Sequence, residues 1–213
     1  MLDIEFKPFT TGKRKHPLEP PNVIIFGGPT GSGKTTTALH ILEEINKQND
    51  DLEEVYFFTG NNKDVLLKVL GKDVKIMNDP AELSHLASVL NTEPAPSPHR
   101  VIMIDDCAAF KSMMASQWFH KLIVDHRHHN VQILITCQGW HMIPKQVRTN
   151  ATLIFLYATR NQSQRKDLLE EIPIDRSKLT GALNLIERGD RSFLMVNLQA
   201  QPPRMFHNFN KEL

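Results

Sequence analysis

The segment Val23-Ile24-Ile25-Phe26-Gly27-Gly28-Pro29-Thr30-Gly31-Ser32-Gly33-Lys34-Thr35-Thr36 decides how the rest of the chain is read. It opens with an apolar run, the pattern of a strand buried on both faces. From Gly28 to Thr35 it then fits G-x-x-x-x-G-K-[ST], and the stretch from Lys34 to Gln48 has helical spacing. Strand, glycine-rich turn and helix in that order make a cradle for phosphates. Glycines let the backbone turn successive N–H groups inward, and the helix start adds the positive end of its dipole. The expected nucleotide-binding residues are therefore Gly28, Pro29, Thr30, Gly31, Ser32, Gly33, Lys34, Thr35 and Thr36. Lys34 is expected at the β- and γ-phosphates, and the Thr35 hydroxyl on Mg²⁺.

Working outward, Val101 to Ile104 is a second apolar run, and it ends in Asp105-Asp106. In an open α/β sheet the C-terminal tips of buried strands face the ligand crevice. Asp105 is expected to hold Mg²⁺ through its water shell, and Asp106 to orient or deprotonate the attacking water. A third run, Val131 to Thr136, leads through Cys137 to Gln138. In P-loop proteins with an additional strand, that strand lies between the phosphate-loop strand and the acid-tipped strand. Gln138 would then meet the γ-phosphate and act as its sensor. No guanine-reading Asn-Lys-x-Asp occurs, since Asn46-Lys47-Gln48 is followed by Asn49 and Asn62-Lys63-Asp64 by Val65. ATP is the expected nucleotide.

The remaining pattern alternates short strands with helices, which predicts a single α/β domain with a mostly parallel sheet. Strands are expected at Ile4–Phe9 (an edge), Asn22–Phe26, Val55–Phe58, Val74–Met77, Val101–Ile104, Val131–Thr136 and Thr152–Tyr157, with a terminal hairpin of Ser192–Leu198 and Arg204–Phe209. Helices are expected at Lys34–Gln48, Lys63–Leu70, Ala81–Leu90, Met113–His126, Pro144–Arg148, Gln164–Glu171 and Arg176–Glu187. Pro94, Pro96 and Pro98 mark Thr92–His99 as a loop. The chain thus divides into an edge strand and basic, proline-containing connector (1–21), a nucleotide-binding core (22–160), and C-terminal helices with the hairpin (161–213). Lys13, Arg14, Lys15 and His16 in the connector read as a solvated link or as a DNA-contacting arm.

Composition narrows the class. The chain has 213 residues, 25 Lys+Arg against 24 Asp+Glu, and a net charge of +1, which excludes a uniformly basic nucleic-acid coat protein. Its apolar runs fall far short of the roughly 20 residues that a bilayer span needs, and Met1-Leu2-Asp3-Ile4-Glu5 does not start like a signal peptide. Two cysteines, Cys107 and Cys137, make no disulfide framework. They follow strands expected to be neighbours and read as packed thiols. A soluble protein of a reducing compartment is expected.

The order of these motifs resembles the genome-packaging ATPases of double-jelly-roll capsid viruses, of the poxvirus and giant-virus type, a branch of the FtsK–HerA superfamily. The resemblance rests on Ile24 to Thr36, Val101 to Asp106, Arg127-His128, Val131 to Gln138, and Ile143-Pro144 through Arg148-Thr149-Asn150. It implies a RecA-like fold, Mg²⁺-dependent ATP hydrolysis, a homo-oligomeric ring (pentamer or hexamer), and pumping of double-stranded DNA into a preformed capsid. The implied setting is the host-cell cytoplasm or viral assembly site, or the virion vertex, with a capsid or portal protein as partner and no membrane. Many relatives carry Asp-Glu at the acidic tip. The shorter Asp106 then needs a closer approach or a water relay. The rival readings are a cellular DNA-mobilising motor, a P-loop small-molecule kinase, and an ATP-binding scaffold without turnover.

A ring motor completes each site with a neighbour's arginine. Arg148 and Arg127 are the leading candidates for this catalytic role, with Arg160 third; each also reads as a salt bridge or a DNA-phosphate contact. Lys111 to Gln117 and the surroundings of Lys145 and Arg148 are expected DNA loops or subunit interface. His126, Arg127, His128 and His129 suit the end of a helix better than a metal site, because no Cys or acid beyond Asp125 completes a ligand set.

Overall fold

The computed structural model describes residues 22–48, 52–59, 74–77, 79–92, 99–187, 192–209 and 211–213. The expected edge strand at 4–9, the basic connector, the helix at 63–70 and the proline loop at 93–98 lie outside the described residues. Among the described residues, nine strands form one sheet. They are β1 (Val23–Gly27), β2 (Leu52–Thr59), β3 (Val74–Met77), β4 (His99–Asp105), β5 (Val131–Cys137), β6 (Leu153–Tyr157), β7 (Phe193–Asn197), β8 (Arg204–His207) and β9 (Lys211–Glu212). Their spatial order is β3-β2-β4-β5-β1-β6-β7-β8-β9. The pairs from β3 through β6 are all parallel, and β7 to β9 continue antiparallel. The expected mostly parallel α/β sheet is the fold. β5 lies between the glycine-loop strand and the acid-tipped strand, as the additional-strand order requires.

Strand β1 is buried along its whole length, with Val23, Ile24, Ile25 and Phe26 all at 0% exposure. That follows from its place between β5 and β6, with layers on both faces. One face meets α1 (Lys34–Gln48), where Ala38, Ile41, Leu42 and Ile45 recur at helical spacing and are wholly buried. Phe26 stacks on Phe155 with ring centroids 4.7 Å apart, and Phe193 and Phe209 extend this aromatic layer. The opposite face is covered by α2 (Pro80–Thr92), α3 (Lys111–Met114), α4 (Gln117–Asp125), α5 (Lys145–Thr149), α6 (Gln162–Glu171) and α7 (Arg176–Ile186).

Two boundaries differ most from the sequence reading. The single helix expected over Met113–His126 is broken into α3 and α4, preceded by a 3₁₀ turn at Cys107–Phe110. The break falls at Ser116, whose hydroxyl accepts the Phe119 N–H at 3.3 Å and so caps a new helix. Strand β2 starts at Leu52 rather than Val55, carrying Glu54 to the β3 and β4 side. There Lys75, Tyr56 and Arg100 all donate to its carboxylate. Burial alone raises the Glu54 pKa, but these three donors outweigh it and hold the group at about 2. No helix among the described residues is long and apolar enough to cross a membrane.

Candidate nucleotide site

Parallel pairing brings the tips of β1, β4, β5 and β6 to one end of the sheet, where Gly27 lies opposite Cys137 and Leu156. From the tip of β1 the chain turns through the glycine loop into α1. Gly31 and Gly33 have φ of 77° and 97°, a left-handed conformation open to glycine at little cost. Gly28 is fixed by proximity instead. Its N–H donates to the Cys137 carbonyl at 3.1 Å, and a Cβ there would lie 2.5 Å from Tyr157 Cβ. Tyr157, at the tip of β6, is the floor of the loop. Its hydroxyl donates to Thr37 Oγ1 at 2.5 Å, tying that floor to the first turns of α1, and burial pushes its phenol pKa up.

The chemistry-bearing side chains meet above this floor. Lys34 is buried, and its Nζ donates to the Pro29 carbonyl at 2.7 Å, arching back across the loop. The Thr35 hydroxyl donates to Asp105 Oδ1 at 2.7 Å. A threonine that gives its proton to a carboxylate keeps its oxygen lone pairs for a cation. Hydroxyl and carboxylate oxygens are the hard donors that suit Mg²⁺, so the residues present fit that ion. The cradle fits phosphate as well: Ser32 Oγ is buried and meets no partner among the described residues.

Asp106 takes a left-handed backbone, φ 58° and ψ 70°, at the turn from β4 into the 3₁₀ helix. Asp and Asn tolerate this region better than most side chains. Gln138 Nε2 donates to Asp106 Oδ2 at 3.0 Å, while Asp106 Oδ1 is buried and unpartnered among the described residues. The expected base and the expected sensor are thus joined directly across the β4–β5 boundary. Cys107 and Cys137 flank this contact in one core cluster. Contact with the Cys107 thiol, together with burial, raises the Cys137 pKa well above its ordinary value.

Lys34, Thr35, Asp105, Asp106 and Gln138 therefore meet at one end of the sheet, whereas the arginines divide. Arg148 is engaged within its own chain: Nε and Nη2 donate to the two Glu171 oxygens at 2.8 and 2.6 Å, and Nη1 to the Ile143 carbonyl at 2.5 Å. Its guanidinium lies 5.6 Å from the centroid of the Trp140 ring, whose N–H also donates to Glu171. Within its own chain Arg148 is thus a clamp between the β5–β6 crossover and α6, and serving a neighbour's site would require it to leave these bonds. Arg127 is exposed just before β5, at the end of the sheet away from the loop, and so lies apart from the nucleotide site of its own chain. Arg160 is exposed just beyond the tip of β6, at the loop end.

Two contributors escaped the sequence reading. Tyr157 looks like the last residue of an apolar strand, and nothing local marks it as a floor. Thr136 carries a fainter signal: it lies two residues before Gln138, near the tip of the strand that Gln138 follows. Its hydroxyl donates to Asp105 Oδ1 at 2.9 Å and accepts the Asp106 N–H at 2.8 Å.

This sheet order and glycine-loop cradle define an additional-strand P-loop NTPase fold. Within that class, the Zonular occludens toxin (Zot) family model matches residues 22–166, and the chain belongs to that family. An uncharacterized protein, 075L, of Invertebrate iridescent virus 6 is 22% identical over 161 residues. The match covers 68% of this chain and spans only 57% of that relative's length. The DNA-packaging ATPase B204 of Sulfolobus turreted icosahedral virus superposes with a TM-score of 0.65 at 15% identity, covering 87% of this chain and 97% of its own. The genome-packaging NTPase B204 of Sulfolobus turreted icosahedral virus 2, in complex with AMPPCP, gives 0.68 at 13% identity over 90% and 98%. At such identities the likeness is one of fold, and at that level it agrees with the resemblance read from motif order.

Proposed function

We propose that the chain is a Mg²⁺-dependent ATPase that translocates double-stranded DNA, packaging a viral genome into a preformed capsid. The observation that carries this reading is the convergence of three strand tips, those of β1, β4 and β5, into one set of groups. Lys34 is placed for phosphate charge, Thr35 and Asp105 for Mg²⁺, Asp106 for the attacking water, and Gln138 for the γ-phosphate through its bond to Asp106. When bound, Mg²⁺ supplies charge neutralisation at the β- and γ-phosphate oxygens.

In this reading Asp106 accepts the water's proton through Oδ1 while Gln138 holds Oδ2. Loss of the γ-phosphate changes what Gln138 can bond, and the Gln138–Asp106 contact passes that change to the β4 and β5 tips. The Asp106 side chain is short, so the approach is direct or through one relayed water. Hydrolysis takes place at the subunit interfaces of a homo-oligomeric ring, pentamer or hexamer, docked on a capsid or portal vertex protein. Exposed Arg127 and Arg160 are candidates to serve a neighbour's site, and Arg148 is one if it leaves Glu171. Lys111 and Lys145, both exposed, are positioned for sequence-independent contact with DNA phosphates. The setting is the viral assembly site in the host cytoplasm, or the virion vertex. The fold shared with the packaging NTPases of the Sulfolobus viruses supports the packaging assignment.

The test is steady-state ATP hydrolysis with and without long double-stranded DNA. Stimulation by duplex DNA is expected, with activity falling at least about a hundredfold in both Lys34→Ala and Asp106→Asn. DNA-indifferent hydrolysis, lost in the same variants, favours a P-loop kinase or a motor engaged only by its portal. Absence of any turnover favours a nucleotide-binding scaffold.

A further inference from the structure

We infer that Thr136 is the positioning residue of this site, setting both acids at once through one hydroxyl. The inference rests on the Mg²⁺-ATP reading proposed above. Thr136 is 1% exposed, so no water competes for its hydroxyl. Its single proton goes to Asp105 Oδ1, which also receives the Thr35 proton. A carboxylate oxygen that accepts two O–H donors at 2.7 and 2.9 Å is held in one orientation. Because the Thr136 proton is committed to Asp105, the hydroxyl lone pair faces the Asp106 N–H and accepts it at 2.8 Å.

That second bond acts on the backbone of Asp106, not on its side chain. A non-glycine residue in the left-handed region persists when its surroundings hold it there. The Asp106 N–H is fixed by Thr136, its side chain by Gln138, and its carbonyl accepts the Ala109 N–H at 3.0 Å. Thr136 thus couples the orientation of the metal-side acid to the turn that aims the water-side acid. One hydroxyl serves both acids.

The experiment uses the isosteric Thr136→Val, the hydroxyl-retaining Thr136→Ser, and the full chain. The first readout is equilibrium binding of a fluorescent ADP titrated with Mg²⁺, which involves no turnover. In Thr136→Val the Mg²⁺ needed for half-maximal tightening should rise about tenfold to a hundredfold, the usual cost of losing a residue that orients a metal ligand. Affinity without Mg²⁺ should change little, because the glycine loop is untouched. In steady-state hydrolysis kcat should fall by a similar factor with KM for ATP nearly constant, and Thr136→Ser should restore both quantities to within about threefold. If the branched valine does not fold beside Asp105, Thr136→Ala is read in the same way. A Thr136→Val or Thr136→Ala protein with wild-type Mg²⁺ dependence overturns the inference, as does a serine variant no better than valine. A wild-type chain whose ADP binding ignores Mg²⁺ sinks the underlying reading instead.

Discussion

Gly28 has no room for a methyl group, and this single contact measures how closely the loop rides on the sheet. The ideal Cβ meets Tyr157 Cβ at 2.5 Å, and the obstacle is the root of a side chain on a buried strand, which cannot swing away. Gly28→Ala must therefore lift the loop or push β6, at a cost of about 1–3 kcal/mol by the usual penalty for overpacking. Nucleotide affinity, measured by equilibrium titration, should fall at least about tenfold. Gly31, by contrast, has open space around its Cβ position, and its constraint is backbone alone. The lysine, the threonine and both acids were legible in the sequence because each sits inside a motif whose spacing is local. Tyr157 and Thr136 were not. Their roles depend on which strands become neighbours and in what register, and that is settled by packing between segments far apart in the chain.

Among the elements, the β5–β6 crossover shows the same division between local and distant information. The short helix after Pro144 was readable from the proline and its flanking pattern, and α5 forms there. The partner of Arg148 was not, since Glu171 lies on α6 beyond an intervening strand. Arg148 and Glu171 retain 12% and 28% side-chain exposure, so removing one leaves the other's charge poorly solvated. The clamp predicts that Arg148→Ala lowers unfolding free energy by about 2–4 kcal/mol in denaturant titration. Arg148→Lys should recover little, because an ammonium cannot bridge both Glu171 oxygens and the Ile143 carbonyl. The opposite outcome is equally readable. Unchanged stability in Arg148→Ala, with ATPase activity regained on mixing with Lys34→Ala subunits, would return this residue to a trans-acting role.

At the scale of the whole molecule, the site belongs to no single segment. Lys34 and Thr35 follow β1, Asp105 closes β4 with Asp106 just after it, Gln138 follows β5 and Tyr157 closes β6. Nucleotide binding is therefore coupled to the complete sheet. Mg²⁺-ADP at about a hundred times its dissociation constant should stabilise the fold by about 2.7 kcal/mol. The matching rise in thermal midpoint should vanish in Lys34→Ala, and differential scanning fluorimetry reads both. The fold class was legible in the sequence from the alternation of strands and helices. The three antiparallel strands beyond β6 were only half seen. The turns and alternation of β7 and β8 announced a hairpin, but β9 is a two-residue pairing too short to carry a pattern.

The strand order also fixes an order of events during synthesis. β1 is the first described strand to leave the ribosome, yet both of its neighbours, β5 and β6, are made long after it. Chains emerge at about 5–20 residues per second, so this very apolar segment waits several seconds with both edges unpaired. A nascent chain that has passed Thr35 already displays the whole glycine motif but lacks the Tyr157 floor beneath it. The protein can present its nucleotide signature well before it can hold a nucleotide.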